Sequence, residues 1–266
     1  MRIGLAQIVS TADPDANLAI VTEYAEAAAA DRADLVVFPE ATMRAFGHPL
    51  REIAEPVDGP WGGAVRALAE RLGITIVVGM FTPGDGDRVR NTLAVLSPTG
   101  TTTYDKVHLF DAFGFTESRT VEGGRGPVTV DVAGTSVGLA TCYDIRFPDL
   151  FIANARAGAR VHLVCASWGA GPGKLEQWEL LARARALDTT SIVVAVGQGD
   201  PAAARVDAVA GAPTGVGGSV VVSPFGEVLH RLGPDPELLV VDLDLGAVDD
   251  ARATLPVLDN RRDDLL

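Results

Sequence analysis

The sequence predicts a mixed α/β fold in which two sheets pack face to face between outer layers of helices, a four-layer α-β-β-α sandwich. Short runs rich in β-branched residues alternate with helical stretches, and several runs are apolar without alternation, as in strands covered on both faces. The chain also resembles itself: Ile3–Ile8 is similar to Val137–Cys142, and Ala94–Gly100 is similar to Val220–Gly226. Two related halves, each with one sheet and its helices, would build the sandwich.

The expected strands follow from these apolar runs and the turn residues between them. In chain order they are Ile3–Ile8, Asp34–Phe38, Ile74–Gly79, Thr92–Leu96, Val128–Val132, Val137–Thr141, Val161–Cys165, Ile192–Val196, Ser219–Val222 and Leu238–Asp242. Four helices are expected between them from capping residues and apolar stripes. They cover Pro14 to Asp31, Trp61 to Gly73, Pro148 to Gly158, and the stretch around Leu175 to Arg185.

A (β/α)₈ barrel is the structural alternative for a chain of 266 residues. Two hairpin signals, Ser97–Gly100 and Ser223–Gly226, favour the sandwich, because barrels avoid such antiparallel pairs. No long linker interrupts the chain, so we expect one domain over residues 1–266.

Composition excludes several classes of function. The chain has 22 basic and 35 acidic residues and a net charge of −13, which argues against nucleic acid or a membrane surface as partner. Its four histidines are far apart and no phosphate-binding or dinucleotide motif occurs, so we expect neither a metal nor a cofactor. Two cysteines are too few for a disulfide framework, and no apolar run is long enough to span a membrane. With the first strand starting beside Met1, these features predict a cytoplasmic protein.

Cys142 is the first candidate nucleophile. It ends an apolar strand, and a helix is expected to start at Pro148, so nearby backbone N–H groups and the helix dipole should lower the pKa of its thiol. The alternative is a buried core cysteine, which suits Cys165. Ser136 lies in a Gly-x-Ser-x-Gly segment, but strands are expected on both sides of it, whereas a serine nucleophile needs a strand followed by a helix.

Three charged residues could act with Cys142. Glu40 ends an apolar strand, Lys106 follows the hairpin after Thr92–Leu96, and Glu117 lies shortly beyond it. Taken alone, each of them could equally be a solvated or loop-capping residue without a catalytic role. As a set they make chemical sense, because a carboxylate can take the thiol proton and an ammonium can stabilise an oxyanion. Spacing alone does not show that they meet.

Three segments, in chain order, resemble the signatures of the nitrilase (carbon–nitrogen hydrolase) superfamily: Phe38–Glu40, Tyr104–Asp111 and Cys142–Pro148. The resemblance covers nearly the whole chain and implies the sandwich fold of that superfamily and a cysteine amidohydrolase without metal. It also implies the role of each site residue. Glu40 would be the general base, Lys106 the oxyanion stabiliser, Cys142 the nucleophile, the backbone N–H of Tyr143 a second oxyanion donor, and Glu117 the residue that orients the lysine and substrate.

The segment that begins at Cys142 resembles the Nit branch, which comprises ω-amidases and deaminated-glutathione amidases. This implies attack on an amide carbon, loss of ammonia and hydrolysis of a thioester. Arg146 has a forked guanidinium suited to a substrate carboxylate, although a surface salt bridge would explain it equally well. Phe46, which stands where the ω-amidase pattern has tyrosine, and Trp168 are the other expected substrate contacts.

The sequence therefore predicts hydrolysis of a small carboxylate-bearing ω-amide. Two alternatives remain open: hydrolysis of an N-carbamoyl compound by the same fold, and a non-catalytic interaction module. The resemblance also implies a homodimer or larger homo-oligomer formed through an apolar helix face, with the segment Leu255–Leu266 crossing to the partner.

Overall fold

The computed structural model describes residues 1–112 and 114–262. Its strands are β1 (Arg2–Gln7), β2 (Leu35–Val37), β3 (Thr75–Pro83), β4 (Val89–Ser97), β5 (Gly100–Asp105), β6 (Asp111–Ala112), β7 (Phe115–Thr116), β8 (Thr129–Val132), β9 (Thr135–Thr141), β10 (Val161–Ala166), β11 (Ile192–Gly197), β12 (Val220–Val222), β13 (Val228–Arg231) and β14 (Glu237–Asp242). Its α-helices are α1 (Pro14–Ala30), α2 (Pro60–Leu72), α3 (Pro148–Arg156), α4 (Lys174–Thr189), α5 (Pro201–Ala204) and α6 (Gly246–Thr254).

Two six-stranded sheets repeat one topology. The first has the order β14-β1-β2-β3-β4-β5, and the second has the order β8-β9-β10-β11-β12-β13. Each contains three parallel strands, β1 to β3 or β9 to β11, with one antiparallel strand on one side and two on the other. The expected internal repeat is thereby confirmed, because the similar segments Ile3–Ile8 and Val137–Cys142 supply corresponding strands.

The two sheets pack against each other and helices cover their outer faces. In the first sheet, Ile3 and Leu5 face the second sheet, whereas Ala6 and Val36 pack with α1 and α2. The second sheet packs its outer face on α3 and α4 through residues such as Trp178. The predicted four-layer sandwich is confirmed. Both faces of the parallel strands are buried, one against the other sheet and one against helices.

Several elements were missed or displaced by sequence reasoning. Strand β5 alternates exposed threonines with buried Tyr104, and β13 is mostly exposed, so neither has the continuous apolar run used to find strands. Helix α6 was not predicted either; of its residues, only Val248 and Ala251 are buried, too few to form an apolar stripe. Strand β2 is shorter than the predicted segment Asp34–Phe38. Of the segment expected to cross to a partner, residues 263–266 lie outside the described residues.

The carboxyl ends of the parallel strands of both sheets lie at the same end of the sandwich. The backbone N–H of Gly199, after β11, donates to the carbonyl of Ile8, after β1, at 2.7 Å. The buried side chain of Gln198 accepts from the N–H of Ser10 at 2.9 Å and donates to the carbonyl of Glu40 at 3.0 Å. Loops from both halves are therefore fixed side by side there. Within the described residues, no helix has the length and apolar character needed to cross a membrane.

Gly79 on β3 allows the loop after β2 to approach the sheet. A Cβ atom at this position would lie 2.6 Å from the backbone nitrogen of Ala41 and 2.8 Å from Cα of Glu40. Backbone atoms cannot rotate out of the way, so only glycine permits this packing.

We expect Gly79→Ala to lower the free energy of unfolding by about 1–3 kcal/mol, because the added methyl group must displace the loop that carries Glu40. Urea unfolding measures this change. Gly63→Ala is the matched control: its new Cβ would approach the carbonyl of Asp58 no closer than 3.7 Å, and alanine favours the helix α2. Equal stability of the two variants would contradict the proposed packing constraint.

Candidate active site

Cys142 lies at the point where β9 turns out of the second sheet. It begins a short 3₁₀ helix, Cys142–Arg146, and has a φ of +48°, a left-handed conformation that is strained for a residue other than glycine. Asp144 stabilises the turn by accepting a hydrogen bond from the N–H of Thr141 at 2.9 Å. The sharp turn leaves Cys142 partly exposed, while Thr141 and Asp144 on either side are buried.

Glu40 lies in the loop after β2 and is fully buried. Its Oε1 accepts hydrogen bonds from Nζ of Lys106 at 3.0 Å and from Nδ2 of Asn91 at 2.7 Å. Its Oε2 accepts one from the backbone N–H of Ser167 at 2.8 Å. Three donors hold this buried carboxylate in one orientation.

Lys106 follows β5 and is only 2% exposed. Its Nζ lies 3.0 Å from Oε1 of Glu40 and 2.9 Å from Oε2 of Glu117. Burial alone would lower the pKa of Lys106, but the two carboxylates, with a smaller contribution from Cys142, outweigh it and the pKa is raised. The side chain is therefore an ammonium.

Glu117 belongs to a 3₁₀ turn, Glu117–Arg119, that follows the small hairpin of β6 and β7. It is buried, and its Oε2 accepts a hydrogen bond from the N–H of Phe110 at 2.6 Å. This second carboxylate keeps the Lys106 side chain directed toward Glu40.

The Cys142 sulfur lies 3.9 Å from the carbonyl oxygen of Ser167, whose backbone N–H donates to Glu40, and Cys142 lines one cavity with Glu40 and Lys106. The structure thus brings Glu40, Lys106 and Cys142 together from three separate parts of the sequence. Burial, followed by the charge of Glu40, raises the pKa of the thiol well above its usual value, and Lys106 compensates only in part. The resting group is a neutral thiol beside a carboxylate.

The expectation of a lowered thiol pKa is therefore wrong. Helix α3 starts at Pro148 as expected, but burial of the thiol is the largest influence on its pKa and opposes ionisation. Two carboxylates and one ammonium also leave a net negative charge around the sulfur, which disfavours a thiolate. A nearby carboxylate, and not a helix dipole, is the group in this structure that could accept the thiol proton.

Asp144 lies within the segment Cys142–Pro148, but its contacts could not be predicted from the sequence. It is fully buried and accepts hydrogen bonds from the hydroxyl of Tyr104 at 2.6 Å and the N–H of His108 at 2.8 Å. Burial and the adjacent Asp144 raise the pKa of Tyr104, so the tyrosine stays a donor. Asp144 thereby joins the segment that carries Lys106 to the turn that carries Cys142.

A cavity opens above these groups and contains the other predicted site residues. Glu40, Lys106, Glu117 and Cys142 line it together with Phe46, Tyr143, Arg146 and Trp168. The backbone N–H of Tyr143 belongs to the first turn of the 3₁₀ helix, where amide hydrogens have few partners within the helix. Ser136 is not among the lining residues, and Cys165 is fully buried in the core.

Arg146 lies at the ring of Trp168, with Cζ 5.2 Å from the ring centroid, and donates to Oε1 of Gln177 at 2.8 Å. Among the described residues, the contacts of the Arg146 guanidinium are thus an amide and an indole. Lys174, which sequence reasoning missed, places its Nζ 5.8 Å from the same centroid and also lines the cavity. Lys174 stands at the start of α4, far along the chain from Cys142, so nothing in the sequence indicated that it would line the cavity.

Known families and proteins include matches over nearly the whole chain. The chain matches the carbon–nitrogen hydrolase family over residues 2–253. It is 58% identical to a Mycobacterium tuberculosis protein named only as a hydrolase, over 99% of this chain and 96% of that one. It is 33% identical to the deaminated glutathione amidase of Escherichia coli O157:H7, over 98% and 97% of the two chains.

A solved structure is also similar. It is that of an amidase from Nesterenkonia sp. AN1, in a mutant showing Michael addition of acrylamide at the active-site cysteine. The TM-score is 0.79 and the identity 28%, over 96% of this chain and 98% of that one.

We expect Glu40→Gln to accelerate the alkylation of Cys142 by iodoacetamide at pH 7–8. The substitution removes the negative charge that raises the pKa of the thiol and leaves Lys106, which lowers it, so the thiolate fraction increases. Alkylation rates measured against pH by mass spectrometry test this. Cys165 should remain unlabelled in both proteins because it is fully buried. Slower alkylation of Glu40→Gln at every pH would contradict the electrostatic interpretation.

Proposed function

The chain belongs to the carbon–nitrogen hydrolase family, and on this premise we propose that it is a cysteine amidohydrolase that releases ammonia from a small carboxylate-bearing ω-amide. The observation that carries the proposal is that a thiol, a carboxylate and a buried ammonium line one cavity, with the last two 3.0 Å apart. They can serve as nucleophile, proton acceptor and oxyanion partner in acyl transfer from an amide.

In the proposed first step, Glu40 accepts the thiol proton of Cys142 while the sulfur attacks the amide carbon. The negative charge that develops on the amide oxygen is stabilised by Nζ of Lys106 and the backbone N–H of Tyr143. Glu40 then returns the proton to the departing nitrogen, so ammonia leaves and a thioester remains. Because the thiol is neutral at rest, the proton transfer accompanies the attack instead of preceding it.

In the second step, water takes the place of ammonia. Glu40 accepts a proton from the water as its oxygen attacks the thioester carbon, and the C–S bond breaks with return of the proton to sulfur. The products are a carboxylic acid and the free enzyme. Glu117 does not exchange protons in this scheme; it keeps Lys106 in place through both steps.

The substrate class is proposed from the far wall of the cavity. Arg146 lies there against Trp168, and in the described part of the chain its side chain donates to an amide and not to a carboxylate. Lys174 adds a second cation at the same ring. Since the protein carries a net charge of −13, its surface repels anions in general. A local pair of cations in the cavity is what an anionic substrate would need.

Assembly and location are proposed as well. On α4, Leu180 is 64% and Leu187 42% exposed, and they lie seven residues apart on one face. An exposed apolar helix face of this kind supports a homo-oligomer. Both cysteines are free, which supports a reducing compartment such as the cytoplasm.

We expect Cys142→Ala to lower amide hydrolysis by at least about a thousandfold, because it removes the proposed nucleophile. Ammonia release measures this across glutamine, α-ketoglutaramate, deaminated glutathione, ureido acids and aliphatic amides. Cys165→Ala and Ser136→Ala should retain most of the activity. An inactive Ser136→Ala beside an active Cys142→Ala would refute the proposal, and turnover of ureido acids alone would move it to N-carbamoyl compounds.

We expect Arg146→Ala to lower kcat/KM for carboxylate-bearing amides by about tenfold to a hundredfold, because the anion loses a partner in a partly dry cavity. A neutral amide of similar length should be almost unaffected. Arg66→Ala is the control, since it removes one positive charge from an exposed pair with Glu70, away from the cavity. Equal losses on charged and neutral amides would mean that Arg146 supports the structure and does not bind the substrate.

A further inference from the structure

Asn91 on β4 contacts every charged group of the cluster around Lys106. It is fully buried, and its Nδ2 lies 2.7 Å from Oε1 of Glu40 and 3.3 Å from Oε1 of Glu117. Its backbone carbonyl accepts the N–H of Lys106 at 2.9 Å. A single neutral residue therefore connects the two carboxylates and fixes the backbone of the lysine between them.

Charge fixes the orientation of the Asn91 amide. If the amide were reversed, its carbonyl oxygen would face two carboxylates, which cannot donate a hydrogen bond to it. In the observed orientation, Oδ1 is buried and has no hydrogen-bond partner in the described part of the chain. A buried acceptor without a donor destabilises a fold. Asn91 thus imposes a penalty that an apolar residue would avoid, and the benefit must come from its donor.

We propose that Asn91 is a positioning residue that keeps Glu40 ionised and directed at the Cys142 thiol. Glu40 has three donors, and Lys106 must also serve a substrate oxyanion under the proposed function, on which this inference rests. When Lys106 turns toward the substrate, Asn91 and the N–H of Ser167 remain, one on each carboxylate oxygen. The carboxylate then keeps its charge and orientation throughout the reaction.

The test is Asn91→Leu, which keeps the approximate size of the side chain and removes its donor. The ionised form of Glu40 loses a hydrogen bond, so the acid limb of the kcat/KM profile should move to higher pH by about one to two units. At a pH on the acid limb of the wild-type profile, kcat/KM should therefore fall by about tenfold to a hundredfold, and the loss should disappear as the pH is raised. A purely structural role would lower activity at all pH values without moving the limb.

Asn154→Leu is the matched control. Asn154 on α3 is also buried and also has an Oδ1 without a partner in the described residues, but its Nδ2 donates to the carbonyl of Leu139 instead of a carboxylate. The same substitution there should leave the acid limb in place. If both variants shift the limb equally, the effect comes from perturbing the core and the inference is overturned.

A readout without substrate separates this inference from the proposed function. The rise of the iodoacetamide alkylation rate of Cys142 with pH should flatten where Glu40 ionises, because the new negative charge opposes thiolate formation. In Asn91→Leu this inflection should move upward together with the kcat/KM limb. It should disappear in Glu40→Gln. Absence of ammonia release by the wild-type protein would refute the proposed function alone, whereas an unmoved inflection in Asn91→Leu would refute the role of Asn91.

Asn91→Val is the second variant, because valine leaves space and suits a β-strand. It should show the same upward shift as Asn91→Leu. If neither variant folds while Asn154→Leu does, Asn91 is needed for folding and not for positioning, and the inference fails.

Discussion

The buried ammonium of Lys106 is the interaction on which the rest of the site depends. Removing a charge from water is unfavourable, and only well-placed partners offset it. Glu40 and Glu117 supply them at 3.0 and 2.9 Å, and Asn91 donates to both carboxylates. Loss of one partner would leave an uncompensated charge, which costs about 3–5 kcal/mol in comparable cases. The strands that position these groups must therefore keep their pairing register.

The same charges set the state of the thiol. One ammonium between two carboxylates leaves negative charge beside Cys142, and the strained turn at φ +48° presents the sulfur to it. A thiol in such surroundings stays protonated and depends on the adjacent carboxylate. Electrostatics and backbone geometry thus support one sequence of events, in which proton transfer and attack on carbon are coupled.

Much of the architecture could be predicted from sequence because the buried strands are continuous apolar runs and the two halves repeat. Edge strands such as β5, with its exposed threonines, have no such signal. At the site, Glu40, Lys106, Glu117 and Cys142 were predicted as a set, and the structure places Lys106 against both glutamates and all four residues in the wall of one cavity. Asn91 could not be found, because its importance arises only from the neighbours that pairing of β4 with β3 and β5 gives it. The direction of the thiol pKa was also beyond reach, since it depends on burial and nearby charge and not on chain order.

The repeat of the two halves has a consequence for the origin of the chemistry. Glu40 and Lys106 follow strands of the first sheet, whereas Cys142 and Ser167 follow strands of the second. Neither half alone holds both the sulfur and the carboxylate that line the cavity. A duplicated ancestor of half this length would have needed a second copy to bring such a thiol and carboxylate into one cavity. In the present chain, the cavity holds both groups only while the two sheets stay packed together.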